Sequence, residues 1–223
     1  MTGLPVKRLS DRGQRSRNRL KKAALEMLNQ KGFHSLRVQD VTRQAGVASG
    51  LFYHYFHDLR EVVVEVASNV LAGLVEETAE LVVPGHSYDW IYQNQTIVVR
   101  TFAGNPGVLA CSFGLAGDYP EFGALWKDAA HQWNLQVAAF LSRVTSFEPR
   151  RARRMAYVLG AMMEGVVYQA LIRHTEDLYH FGREPEDIAE VCAVMWYRAI
   201  FLEEPPVDKL RRAGRELCGP TPT

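Results

Sequence analysis

The sequence is short of cysteine. Cys111, Cys192 and Cys218 are three, an odd number, and stand far apart in 223 residues, so no close-spaced pair seeds a zinc site or a disulfide framework. A reducing cytoplasm is the expected location, with no metal and no cofactor. Long apolar runs are missing too: the best windows, 62–75 and 155–172, are interrupted by Glu65 and Glu164, which argues against a membrane span. Lys7 and Arg8 are followed by no apolar stretch, so no secretory leader is read there. No alternating strand pattern with hairpin signals and no repeat at a solenoid period occurs. Gly-x-Ser-x-Gly, His-Glu-x-x-His, P-loop and dinucleotide fingerprints are all absent, and no carboxylate pair is placed for acid–base work. The expectation is a non-enzyme with no catalytic residues.

What is present is an ordinary globular composition, 47% apolar and 23% charged, enough to bury a sizeable core. The formal net charge of +1 hides a strong asymmetry. Residues 1–60 hold twelve Lys/Arg against four Asp/Glu, a balance of +8, and the rest of the chain carries −7. A small basic module attached to a larger acidic one points to a polyanion, and first to nucleic acid.

Periodicity reads as helix almost throughout. Leu20, Ala23, Ala24, Met27 and Leu28 form one stripe that stops at Lys31-Gly32, where glycine suits a left-handed cap. Short helices follow over 38–45, ended by Gly46, and over 49–55. A long one runs from 59 to about 81, with Val63, Ala67, Val70 and Leu74 on one face, until Pro84-Gly85. Later helices are marked by their starts: Ser87, Asn105-Pro106, a capping-box spacing at 118–121, Pro149 and Pro185. Residues 203–223, with Pro205-Pro206 and Gly219-Pro220, read as a flexible tail. The fold class expected is all-α, about nine helices: a three-helix head over 1–57 including a basic arm, and a helical domain over 58–202.

Helices two and three, joined through Gln44-Ala45-Gly46-Val47-Ala48, have the lengths of a helix-turn-helix. A B-DNA major groove is about 12 Å wide and admits one helix, so the second must be exposed. Its sequence, 49–56, mixes apolar anchors with Ser49, Tyr53 and His54, which can donate to phosphates or base edges. Gly32-Phe33, Val38-Gln39-Asp40-Val41-Thr42, Ala45-Gly46-Val47 and the run Gly50-Leu51-Phe52-Tyr53-His54-Tyr55-Phe56 resemble the N-terminal signature of the TetR (tetracycline repressor) family of bacterial transcriptional regulators. The resemblance covers residues 15–75. It implies a DNA-binding head, a linking fourth helix, a helical ligand-binding domain and homodimerisation through the last two long helices. The sequence departs from the family pattern at Arg37, Ala48-Ser49, Leu51 and Leu59-Arg60. Candidate DNA contacts are Arg37, Ser49, Gly50, Leu51, Tyr53, His54 and Arg60.

From 90 to 168 the chain is rich in large aromatics, with Gly104, Gly107, Gly114, Gly117 and Gly123 breaking regular packing. Helical bundles place small-molecule sites in such gaps. Candidate ligand contacts are Asn94, Phe102, Phe113, Trp126, Trp133, Glu164 and Tyr168, with a small apolar effector as ligand. Ala156, Gly160, Ala161 and Gly165 would let another helix approach. The reading is a DNA-binding transcriptional regulator, a repressor released from a palindromic double-stranded operator. The alternative is a helical small-molecule carrier with a degenerate head.

Overall fold

The computed structural model describes residues 10–82, 85–115, 117–176, 178 and 184–219. The basic start at Lys7-Arg8, the breaker Pro84 and the end of the tail from Pro220 lie outside these residues. Helices follow in the order α1 (Asp11–Lys31), α2 (Val38–Ala45), α3 (Ser49–Tyr55), α4 (Leu59–Ala79), α5 (Ser87–Gly104), α6 (Pro106–Gly114), α7 (Pro120–Val144), α8 (Pro149–Leu171), α9 (Pro185–Phe201) and α10 (Arg212–Cys218). No strand occurs among the described residues, and no helix is long and apolar enough to cross a membrane. The fold is all-α. The chain divides inside α4 into two compact units, Met1–Asn69 and Val70–Thr223.

In the first unit the α1 stripe is wholly inward: Leu20, Ala23, Ala24, Met27 and Leu28 are all buried. The arm expected over 7–22 is helical from Asp11, because Ser10 caps it by accepting from the Gly13 amide. The head also extends past the expected boundary at residue 57. Val62, Val63, Val66 and Ala67 of α4 are buried, and Glu65 is paired with α1: Arg17 Nη1 donates to its Oε1 at 2.7 Å, Nη2 to its Oε2, and Lys21 lies 3.1 Å away. The same Arg17 guanidinium sits over the Phe56 ring at 4.8 Å. Arg17 therefore ties the end of α3 to α1 and α4.

In the second unit α5 is central, with α9 packed along it and α7 against α8. Trp90 stacks on Phe140 at 3.8 Å, and Trp133 meets Trp196 at 5.7 Å. Burial drives the Cys111 and Cys192 thiols up to about 12, which leaves them as inert core groups. Of the small residues expected to admit a second helix, Ala156 and Gly160 are buried while Ala161 and Gly165 are exposed. A methyl group at Gly160 would meet Asn134 Oδ1 at 2.5 Å, so this glycine serves the contact of α8 with α7 of its own chain.

Several starts differ from expectation. His86, one residue before Ser87, caps α5 through Nδ1, which accepts from the Tyr88 amide. Asn105 precedes α6 but its amide donates back to the Thr101 carbonyl instead of capping. At 118–121 Tyr119 takes the cap position, its side chain does not cap the helix, and Pro120 opens α7. The expected tail is partly structured. Val207–Lys209 forms a 3-10 turn, Leu210 and Ala213 are buried, and α10 packs on α9. It is held by charges that sequence spacing conceals: Lys209 to Asp89 at 2.7 Å, Arg211 over the Tyr92 ring at 3.8 Å, and Arg212 to Asp187.

Two outcomes follow. Burial pushes the Glu65 carboxyl up, but the bonds from Arg17 and Lys21 more than reverse this and hold it below its ordinary 4.5. A group so lowered stabilises the fold above its ordinary value and loses that contribution as pH falls through the lowered one. Glu65→Gln is thus expected to cost about 1–2 kcal/mol at pH 7, with the difference in urea midpoint closing as the medium is acidified past pH 4.5. Gly160→Ala is expected to lower the thermal midpoint by roughly 3–10 °C through overpacking against Asn134, as read by circular dichroism.

Candidate nucleic-acid interface and ligand cavity

The head builds its exposed surface by using one side of α3 as an anchor. Phe52 is fully buried, Phe56 just beyond the helix is 1% exposed, and their rings lie 5.7 Å apart. With these two turned inward, Ser49, Gly50, Tyr53 and His54 are left outside, Tyr53 at 64% exposure, while Leu51 and Tyr55 are half-buried. His54 packs edge-on against Tyr55 at 4.8 Å.

The turn between α2 and α3 is fixed from three sides. Gly46 sits at φ 61°, ψ 44°, a left-handed conformation that favours glycine, and its amide reaches the Arg43 carbonyl at 3.1 Å. The Val47 amide bonds to the Thr42 carbonyl at 3.0 Å. From α1, Arg19 Nη2 donates to the carbonyls of Ala45 and, at 3.2 Å, Gly46. A cation on the last carbonyls of α2 satisfies acceptors that the helix itself cannot pair. The sequence reading took Arg19 only as part of a charge count; its role on the turn has no local sequence signal.

Arg37, just before α2, and Arg60, in the first turn of α4, are both exposed. Arg37 Nη1 donates to the carbonyls of His34 and Leu36, each at 2.9 Å, and its amide donates to Asp40 Oδ2 at 3.2 Å. The Arg37 side chain thus staples the loop before α2, while Asp40 accepts from its backbone amide. Asp40 also takes Lys31 Nζ at 2.7 Å, which with the Arg37 amide holds its carboxyl below the usual range. Arg60 is exposed in the first turn of α4, whose start is closed by Asp58 Oδ1 accepting from the Glu61 amide at 2.8 Å. That bond is the main reason the Asp58 carboxyl is lowered. Two exposed residues of α2, Gln39 and Arg43, extend the surface and were not among the sequence candidates. These exposed residues belong to one basic module, and side chains of these kinds can reach both phosphates and groove edges.

The second unit contains a cavity of about 30 Å³. Five sequence candidates line it: Phe102, Phe113, Trp126, Trp133 and Glu164. Trp126 lies 5.5 Å from Phe102 and 4.8 Å from Phe113, tilted 54° to both. Tyr168 is not in the lining but packs on Phe113 at 5.2 Å. Asn94 is also outside it, fully buried one helical turn before the lining residue Val98, with neither amide atom hydrogen-bonded. Leu71 and Leu74 of α4, and Met163 and Val167 of α8, complete walls that the sequence reading did not assign. They carry no signal beyond apolarity, which core residues share. Burial raises the Glu164 carboxyl, while a hydrogen bond from Trp126 works the other way.

The comparisons agree with this layout. Residues 20–66 match the model of bacterial regulatory proteins, tetR family. An uncharacterized HTH-type transcriptional regulator of Bacillus subtilis (strain 168), YvdT, is 31% identical over 55 residues; the match spans 25% of this chain and 28% of that protein. A transcriptional regulator from Rhodococcus sp. Rha1 has a similar structure, with TM-score 0.67 and 18% identity, over 84% of this chain and 96% of that one. The fatty acid degradation regulator FadR from Bacillus halodurans is similar at TM-score 0.63 and 13% identity, over 85% of this chain and 96% of that one. Residues 20–66 are thus similar to the tetR family of bacterial regulatory proteins, and the all-α fold of the chain is similar to that of solved transcriptional regulators.

Proposed function

We propose that the protein is a DNA-binding transcriptional repressor whose paired heads hold a palindromic operator until a small apolar molecule enters the cavity. The observation that carries the reading is the outward face of α3. Ser49, Gly50, Tyr53 and His54 are exposed while Phe52 and Phe56 anchor the helix from behind, in a module with a charge balance of +8 over 1–60. Side chains of this kind reach base edges and phosphates when a helix enters the major groove, and the exposed Arg37 and Arg60 add cations to the same module.

Gly50 adds a specific argument. Nothing of the chain lies within 4 Å of where its Cβ would be, so internal packing does not require a glycine. Glycine inside a helix costs about 1 kcal/mol relative to alanine. The open space is what a DNA backbone would occupy on close approach.

A second copy of the chain would provide the second head. Tyr157, Val158, Ala161 and Gly165 of α8 form an exposed stripe at helical spacing, Val158 at 67% exposure, suited to isologous pairing. Two heads one turn of DNA apart, about 34–36 Å, require an inverted repeat.

Release follows from the size of the cavity. At about 30 Å³ it holds no molecule larger than a few atoms unless its walls move. Those walls include Leu71 and Leu74 of α4, the helix whose earlier residues Val62, Val63 and Val66 belong to the core of the head. A ligand that favours the displaced conformer by about 3 kcal/mol shifts DNA occupancy roughly 150-fold.

Footprinting on the DNA upstream of the gene is expected to protect an inverted repeat. Affinity should fall steeply as salt rises, the slope easing by about one unit when Arg60 is changed to Ala if it contacts a phosphate. No protection at low salt and a flat salt response would favour the carrier instead. Gly50→Ala separates fold from function: it is expected to stabilise the head by about 0.4–1 kcal/mol yet weaken operator binding at least tenfold, measured by melting and by fluorescence anisotropy on the same sample.

A further inference from the structure

One carboxyl group stands apart inside the cavity. Glu164, on α8, is the only titratable residue among the lining; no Lys, Arg or His among the described residues lines it. Its hydrogen bond comes from Trp126, a neutral donor that leaves most of the carboxylate's acceptor capacity open. Glu164 is half-buried, and withdrawing a carboxylate from water even in part without a counter-charge is costly. The surroundings are rings: Phe102 and Phe113 lie 5.5 and 4.8 Å from Trp126, and Trp133 completes the group.

Two physical terms then favour the same ligand. A carboxylate short of partners attracts positive charge, more strongly where water is excluded. Aromatic rings attract cations through their quadrupoles, Trp most of all. We infer that the cavity, enlarged by movement of its walls, takes an apolar organic cation, an alkyl- or aryl-ammonium, with Glu164 as its counter-ion and Phe102, Phe113 and Trp126 around the charged nitrogen. This rests on the reading of the cavity as an effector site.

Other ligand classes fit less of the site. A neutral hydrogen-bond donor satisfies Glu164 but makes no use of the rings beyond their apolarity. An anionic ligand would satisfy the Trp133 indole N–H, which is buried without an acceptor, but would share the cavity with Glu164.

The test uses the full chain and three compounds of matched shape: (4-phenylbutyl)trimethylammonium, its uncharged isostere with tert-butyl in place of trimethylammonium, and 5-phenylpentanoate. Titration calorimetry is expected to show the ammonium binding at least tenfold more tightly than the isostere, with the carboxylate weakest. Glu164→Gln should abolish that preference and leave the isostere within about twofold. An isostere that binds wild-type protein as well as the ammonium, a preference that survives in Glu164→Gln, or no binding by any of the three would overturn the inference. The wild-type comparison decides by itself if the variant does not fold. Displacement of operator DNA is read separately. An ammonium that binds through Glu164 without displacing DNA upholds this inference and removes the ligand-responsive reading, and an isostere that displaces DNA as well as the ammonium does the reverse.

Discussion

The head is organised around one guanidinium. Arg17 forks onto the Glu65 carboxylate and lies over the Phe56 ring, so α1, the end of α3 and the start of α4 share a single fixed point. A bidentate ion pair has directional as well as Coulombic content, and with less than a third of either side chain exposed it is only partly screened. Phe56 and, one turn earlier, Phe52 are thereby held inside. A seven-residue helix is too short to be stable on its own. The orientation of α3, and with it which of its side chains face outward, is set by that anchored side. The staple from Arg19 to the turn carbonyls does the same for the angle between α2 and α3.

Much of this was legible because it is local. The α1 stripe read from Leu20, Ala23, Ala24, Met27 and Leu28 is the buried stripe, since helical periodicity and burial are the same fact seen twice. Gly46 and Pro149 mark ends and starts through backbone geometry alone. Pairings distant in sequence were not legible. Arg17 and Glu65 are 48 residues apart, Arg19 and Ala45 are 26 apart, and Lys209 and Asp89 are 120 apart. Charge counts placed the first two arginines in an arm and the lysine in a tail. Nothing short of the fold shows that the same charges are structural.

The second unit was legible in kind more than in detail. Aromatic spacing located the rings, and Phe102, Phe113, Trp126 and Trp133 do share one cavity. Tyr168, named with them, lies outside the lining, because a lining aromatic and one packed behind it follow the same helical period. Asn94 shows the opposite difficulty: a polar residue that looked suited to orienting a ligand is enclosed beside the cavity, unpaired. Gln95, next to it, is equally enclosed. The centre of α5 thus carries a polar cost that apolar residues of the same size would avoid.

Glu190 gives the last segment of the chain a weight its composition conceals. It is 1% exposed on α9, and the oxygen that is paired accepts from the backbone amide of Arg211. Gly214 lies so close that a methyl group there would meet the same carboxylate at 2.7 Å. A chain truncated ahead of Leu210 would therefore differ from the full one by more than length: the Glu190 carboxyl would lose both its backbone donor and the segment packed over it. The segment from Leu210 to Gly214 is part of the foundation of the helix it covers, and changes there act on the interior of the bundle.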